Sequence, residues 1–175
     1  MLAAIEAGDT AFLDMQLGPL RRVTGLLKAR ALLDVIEEEF RDGLDQIVLM
    51  AWHTAVIDIL AAGFAPHGVA RIDGSTRPAA RQRALDAFQN GKARVFVGQI
   101  QAAGEAIDLS AASQLMFVEP SWTPKDMSQA ALRITNHQQK RQCLVRVVAL
   151  ADSIDETVMS VLMRKVAAIR SVLGD

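Results

Sequence analysis

The sequence predicts an α/β fold, three layers deep, in which a mostly parallel, twisted sheet is covered by helices on both faces. Two observations predict it. Short apolar runs, Ile47 to Ala51, Val69 to Ile72, Arg94 to Val97, Leu115 to Val118 and Leu144 to Leu150, alternate with segments of helical periodicity, and Gly, Pro or Asn-Gly separates them. The chain of 175 residues, 51% of them hydrophobic, is also long and apolar enough for one domain with a sizeable core.

Taken in order, residues 1–19 are rich in Ala and Leu and break at Gly18-Pro19. They predict a short helix and a turn, an extension or linker ahead of a domain over residues 20–175. From Leu20 to Phe40 the apolar residues Val23, Leu26, Leu27, Leu32, Leu33, Ile36 and Phe40 recur at helical spacing, and Arg41-Asp42-Gly43 stops them. Ile47 to Ala51 reads as a buried strand and Thr54 to Ala62 as a helix ending at Gly63. After the strand Val69 to Ile72, Asp73-Gly74-Ser75-Thr76 leads into a helix from Pro78 to Phe88, with hydroxyl residues and a proline as its start signals. Asn90-Gly91 ends it. Strands follow at Arg94 to Val97, Leu115 to Val118 and Leu144 to Leu150, and Ile154 to Leu173 reads as a long closing helix. No internal repeat or low-complexity linker interrupts the series.

The formal net charge is -1, but the charges are unevenly placed. Arg71 to Arg94 carries six bases against two acids, and Ser121 to Arg146 five against one, while acids gather in residues 1–70. Such asymmetry fits a face for phosphates, and scattered surface charge is the alternative. The single cysteine, Cys143, excludes an internal disulfide or a cysteine metal cluster and reads as core. His53, His67 and His137 show no metal-ligand spacing with carboxylates, so no metal site is expected. No apolar run reaches transmembrane length, and Glu6 and Asp9 stand where a signal peptide would be basic, which leaves the cytoplasm as the expected compartment and no membrane partner.

Several stretches carry chemistry. In Gln129 to Gln139, a helical run would turn Gln129, Arg133 and Asn136 to one side, and the guanidinium of Arg133 is a natural partner for a phosphoryl group. Gly74-Ser75-Thr76 hands a strand to a helix N-terminus, where free amides bind anions, with Arg77 and Arg81 adding charge; the plain alternative is an ordinary helix cap. The small residues from Ala102 to Ser110 would let backbone approach a ligand closely. Trp122, in the polar turn Ser121-Trp122-Thr123-Pro124, either packs on a nucleic-acid sugar or base or anchors its own loop.

Absent motifs also decide something. No Gly-x-x-x-x-Gly-Lys-Ser/Thr loop exists, so Glu119 at a strand end has no phosphate loop to serve. A dinucleotide enzyme with Asp73 on a ribose lacks its glycine loop as well. This chain alone is not expected to bind and hydrolyse a nucleotide.

In this order the pieces resemble the second RecA-like lobe of the Swi/Snf-type DNA translocases of helicase superfamily two, over about Leu17 to Lys165. Leu17 to Leu33 resembles the linking segment and first helix of that lobe. Arg71 to Thr76, with Arg81-Gln82-Arg83 and Phe88, is similar to the segment after motif IV in the annealing-helicase branch. Gln99 to Ala112 resembles motif V, Ser121 to Pro124 the Trp-Asn-Pro turn, Gln129 to Gln139 motif VI, and Ser153 to Glu156 with the helix to Lys165 the closing segment.

The resemblance implies a helicase C-terminal domain of RecA-like fold over residues 20–175. ATP with magnesium would bind only in a two-lobed parent, against an N-terminal RecA-like lobe of the same parent chain. Arg133 and Gln129 would face the ATP phosphates, and Gly104, Glu105 and Asp108 would line the nucleotide cleft. Gly74, Ser75, Thr76, Arg77, Arg81 and Trp122 would track double-stranded or branched DNA through its phosphates. The family pattern departs at motif VI, usually Gln-Ala-x-x-Arg-x-x-Arg-x-Gly-Gln: Asn136 replaces the second arginine, the degenerate finger position, and Gln138 the glycine. In motif V, Ala106 and Asp108 stand where glycine and asparagine are usual. An arginine finger contributes roughly 10³ to 10⁵ in rate in other phosphoryl-transfer enzymes. Two functions are therefore carried forward: a motor lobe of a DNA translocase, and a degenerate module that binds DNA or a partner.

Overall fold

A computed structural model describes residues 10–101 and 107–173. In chain order these form α1 (Thr10–Arg41), β1 (Ile47–Ala51), α2 (Thr54–Gly63), a 3₁₀ turn (Ala65–His67), β2 (Val69–Ile72), α3 (Pro78–Gln89), β3 (Val95–Gln99), β4 (Gln114–Phe117), α4 (Pro124–Ala131), β5 (Leu144–Val147) and α5 (Ile154–Leu173). The strands lie in the order β2-β3-β1-β4-β5, and every pairing is parallel. Parallel neighbours need crossovers, which the helices supply.

Side chains alternate across each strand, so β1 feeds both cores. Ile47, Leu49 and Ala51 pack with Val95, Val97 and Met116 beneath Ala29, Leu32 and Ile36 of α1 and Ile57 and Leu60 of α2. Val48 and Met50 point the other way, to Phe96, Leu115 and Phe117, where Phe88 of α3, Ala130 of α4, Leu109 and Ile134 cover them. The sheet is thus covered on both faces, the central strand wholly buried. A third cluster joins Leu17 of α1 and Trp122 to Val158, Val161 and Leu162 of α5.

Two expectations for α1 are corrected. Gly18-Pro19 does not turn the chain; the helix runs through it to Arg41. Proline removes one helix hydrogen bond, but Leu17, on its far side, is buried against α5, and that packing holds the two segments in line. The buried face also differs from the periodic apolar set. Val23 and Leu27 are 54% and 49% exposed, whereas Arg21, Thr24 and Lys28 are buried. Lys28 Nζ lies 2.8 Å from Asp155 Oδ2 of α5 and donates to the Val148 carbonyl at 3.1 Å, and Thr24 donates to Asp155 Oδ1 at 3.2 Å. Burial lowers the Lys28 pKa, and the hydrogen bond and charge of Asp155 oppose that effect. Arg21 donates to the Pro120 carbonyl at 2.8 Å, its guanidinium 5.1 Å from the Trp122 ring and 5.5 Å from that of Trp52.

Candidate functional site

The candidate residues fall at opposite ends of the sheet. At the carboxyl ends of the strands, β1 leads into Trp52 and His53, β2 into Asp73 to Thr76, and β3 ends at Gln99. Gln99 joins all three: its amide donates to the Trp52 carbonyl at 3.0 Å and its oxygen accepts the Gly74 N–H at 3.1 Å. The Ser75 N–H and hydroxyl both donate to Asp73 Oδ1, at 2.9 and 2.6 Å, and the Thr76 N–H donates to the Asp73 carbonyl at 3.0 Å. The amides of Gly74, Ser75 and Thr76 are therefore all used within the chain. The anion cradle expected of this turn is closed: the Asp73 carboxylate takes the Ser75 amide, the Gln99 side chain that of Gly74 and the Asp73 carbonyl that of Thr76. The Ser75 hydroxyl is the largest cause holding the Asp73 pKa down to about 2, with the Ser75 amide and Arg71 assisting against desolvation.

What this end does offer is α3. Arg77 is exposed at its N-cap, Pro78 occupies its first turn, and Arg81 follows four residues later on the same side. Much of the predicted basic face serves the fold instead. Arg71 pairs with Asp58 and Asp73, Arg94 donates to the Leu44 and Asp45 carbonyls and lies over Phe40, and Arg146 pairs with Glu39.

Asp108, Arg133 and Asn136 meet at the amino ends of the strands. Asp108 lies between β3 and β4 near the end of α3, where its carbonyl accepts from Gln89 Nε2 at 3.0 Å. The Leu109 N–H donates to the Arg133 carbonyl at 3.0 Å, and Asn136 Nδ2 donates to Asp108 Oδ1 at 2.7 Å. Desolvation pushes the Asp108 pKa up, yet the Ser110 amide and hydroxyl, Asn136 and the charge of His137 together lower it. Gln139 anchors the turn by donating to the carbonyls of Ser110, Ala112 and Ile134.

The expected helical face through Gln129, Arg133 and Asn136 does not form. Helix α4 stops at Ala131, and residues 132–138 make turns. The β-branched Ile134 is drawn into the core beneath the sheet, and the Thr135 hydroxyl takes the Ala131 carbonyl. Gln129 is left exposed on α4, Arg133 half-buried beyond its end, and Asn136 beside Asp108. Gly104 and Glu105, expected in the nucleotide cleft, lie outside the described residues. Trp122 is corrected as well: at 2% exposure in the α1–α5 cluster, it anchors its loop and presents no ring to a nucleic acid.

Glu119, noted at a strand end, is a buried structural anchor. It accepts the Trp52 and His53 N–H groups, each at 2.9 Å, and stands 2.6 Å from His53 Nδ1. Gln99, Gln139 and the Lys28–Asp155 pair were not singled out from the sequence, because nothing local marks them; their partners are distant in the chain. Among the described residues no group of three or more His, Cys, Asp or Glu is placed to hold a metal ion, and no helix is long and apolar enough to cross a membrane.

A family model for the helicase conserved C-terminal domain matches residues 27–138. The DNA repair protein RAD5B of Arabidopsis thaliana is 29% identical over 153 residues, which cover 85% of this chain and 12% of that protein. A DNA repair and recombination protein RAD54-like of Drosophila erecta is 28% identical over 133 residues, 73% of this chain and 17% of that protein. This chain therefore spans less than a fifth of the length of either relative. A crystal structure of the C-terminal part of the Fun30 ATPase domain superposes with a TM-score of 0.71 at 26% identity, covering 77% of this chain and 44% of that one. A wholly parallel sheet with helices on both faces, matched in sequence over more than half its length and in shape by a lobe of a Swi/Snf-type ATPase, shows that the chain belongs to the helicase conserved C-terminal domain family, among the Swi/Snf-type helicase-like proteins of superfamily two.

Proposed function

We propose that the chain is the second motor lobe of an ATP-dependent translocase on double-stranded or branched DNA, completed by a first RecA-like lobe in the same parent protein. The observation that carries this reading is Arg133. It is half-buried at the amino end of the sheet, its turn fixed by the Leu109 amide and by Gln139. A permanently charged planar donor there is suited to a phosphoryl group presented across a cleft. ATP with magnesium would supply the free energy for stepping. In this reading Arg133 would face the ATP phosphates, and the magnesium ligands would come from the first lobe. At the opposite end of the sheet, Arg77 and Arg81 would contact DNA phosphates, which position the protein without reading sequence. The names of the relatives, a repair and a recombination protein, agree with DNA as the partner.

The test is duplex-stimulated ATP hydrolysis by the two-lobed parent. Arg133→Ala is expected to reduce turnover by about 10³-fold or more, as loss of a phosphate-facing arginine does elsewhere. Undiminished turnover in that variant refutes the assignment.

Asn136 favours a second reading, a lobe that holds DNA or a partner without productive hydrolysis. Its amide is committed to Asp108 and carries no charge toward a phosphate. This reading expects duplex binding that weakens steeply with salt, accompanied by little ATPase. A binding constant indifferent to salt removes the phosphate contacts from both readings.

A further inference from the structure

The two positions at which motifs V and VI change the charge of a polar side chain, 108 and 136, touch each other. They are 28 residues apart in sequence, yet Asn136 Nδ2 donates to Asp108 Oδ1 at 2.7 Å. The same Asp108 oxygen accepts the Ser110 N–H at 2.9 Å, and Asn136 Oδ1 accepts the Gln138 N–H at 2.9 Å. Between these anchors the Arg133 carbonyl takes the Leu109 N–H at 3.0 Å, with Asn136 Nδ2 a further 3.5 Å contact. Both ends of the Asn136 amide are thus in use, and each bond secures the turn that carries Arg133.

We infer that Asp108 and Asn136 form one positioning unit, which ties the segment after β3 to the turn after α4 and so sets the direction of Arg133. An ionised carboxylate only accepts, whereas an amide both donates and accepts, so the pair has a required polarity: one member must donate to the other. The low pKa of Asp108 keeps it the acceptor. The same chemistry governs any return to the family pattern. A lone arginine at 136 starts beside a carboxylate that accepts a two-pronged guanidinium well, and it is captured there instead of reaching across the cleft. This consequence for ATP turnover rests on the reading of Arg133 given above; the unit itself does not.

The first experiment uses this chain and the Arg133 Nε–H signal in ¹⁵N NMR, since that nitrogen is buried and its exchange with solvent reports how firmly the arginine is held. Asn136→Asp sets two carboxylates together and is expected to accelerate exchange by about tenfold or more, the loss of at least one hydrogen bond. Asp108→Asn preserves a donor and an acceptor and is expected to change it little. The two together rebuild the bond with its polarity reversed and should return exchange close to that of the natural chain. Effects that simply add, or an Arg133 signal that ignores all three variants, overturn the unit. If Asn136→Asp does not fold, the same comparison is made with Asn136→Ala and Asp108→Ala, where the double variant should be no worse than the worse single one.

The second experiment is ATP hydrolysis by the two-lobed parent. Asn136→Arg alone should leave turnover near its starting level, and adding Asp108→Asn should raise it by about tenfold or more. Full recovery with Asn136→Arg alone overturns the capture. Silence in every variant counts against the motor reading, while the Arg133 exchange rates still decide the unit.

Discussion

Gly25 offers a prediction whose sign runs against helix propensity. It sits inside α1, where alanine is favoured over glycine by about 1 kcal/mol. A Cβ at this position, however, would stand 2.4 Å from Glu119 Oε1, 2.7 Å from its Cδ and 3.0 Å from Val56 Cγ2. Glu119 has little freedom to withdraw, because its carboxylate is buried and holds the Trp52 amide, the His53 amide and the His53 ring. Shifting it loses at least one hydrogen bond to a charged group, about 1.5–3 kcal/mol, and crowding a packed interior costs about 1–3 kcal/mol more. Net of the propensity gain, Gly25→Ala should destabilise by about 1.5–5 kcal/mol. For a chain of this size that lowers Tm by roughly 3–20 °C, readable by circular dichroism. In a Glu119→Ala background only the approach to Val56 remains, and most of the Gly25→Ala penalty should disappear. A Tm for Gly25→Ala at or above that of the natural chain, or an equal penalty with Glu119 removed, refutes the reasoning.

The Lys28–Asp155 pair joins α1 to α5 with both side chains almost fully buried, at 3% and 4% exposure. Lys28→Met leaves Asp155 buried without its counter-charge and should cost about 3–5 kcal/mol, only part of it recovered when Asp155→Leu is added, because the Thr24 hydroxyl and the Leu150 N–H then lose their acceptor; urea midpoints that add independently would contradict this. Asp73 predicts a pH dependence. Its folded pKa, about 2, lies below the ordinary aspartate value of 3.8, so its contribution is fully present above pH 4 and is lost as pH falls through about 2. That difference corresponds to about 2 kcal/mol. Ser75→Ala, which removes the largest cause, should raise the Asp73 pKa in carboxyl NMR and move acid unfolding to higher pH, and an unmoved acid limb would show that the turn does not hold this charge.

The fold was legible where the information is local. Every strand lies within a residue or two of its predicted run except β5, which ends at Val147 rather than Leu150, and the helices over Thr54–Gly63, Pro78–Gln89 and Ile154–Leu173 begin and end near their Gly, Pro and Asn-Gly signals. Failure came where a distant partner overrules a local rule. Gly18-Pro19 reads as a break until Leu17 is seen against Val158 and Val161. Nothing local marks Arg21 and Lys28 as buried; their partners, Pro120 and Asp155, are about 100 and 127 residues away in sequence. The apolar residues Val23 and Leu27 are left on the exposed side of α1.

The candidate site divides along the same line. Residue type pointed to Arg133, Asp108 and Asn136, but their relation depended on a helix through residue 139 that ends eight residues earlier, at Ala131. With the helix gone, position 136 no longer shares a face with Arg133; it reports on Asp108 instead. Trp122 and the Gly74–Thr76 amides failed for a different reason: each is a group that binds a ligand only if the fold leaves it unsatisfied, and here Arg21 and the α5 helix cover the one while Asp73 and Gln99 occupy the others. Charge alone gave a similar overcount, since Arg71, Arg94 and Arg146 serve the scaffold. Two positions that read as separate features of the resembled motifs in sequence are, in space, donor and acceptor of one 2.7 Å bond. A carboxylate and an amide so placed act together, because a change of either one alone takes a hydrogen-bond partner from the other.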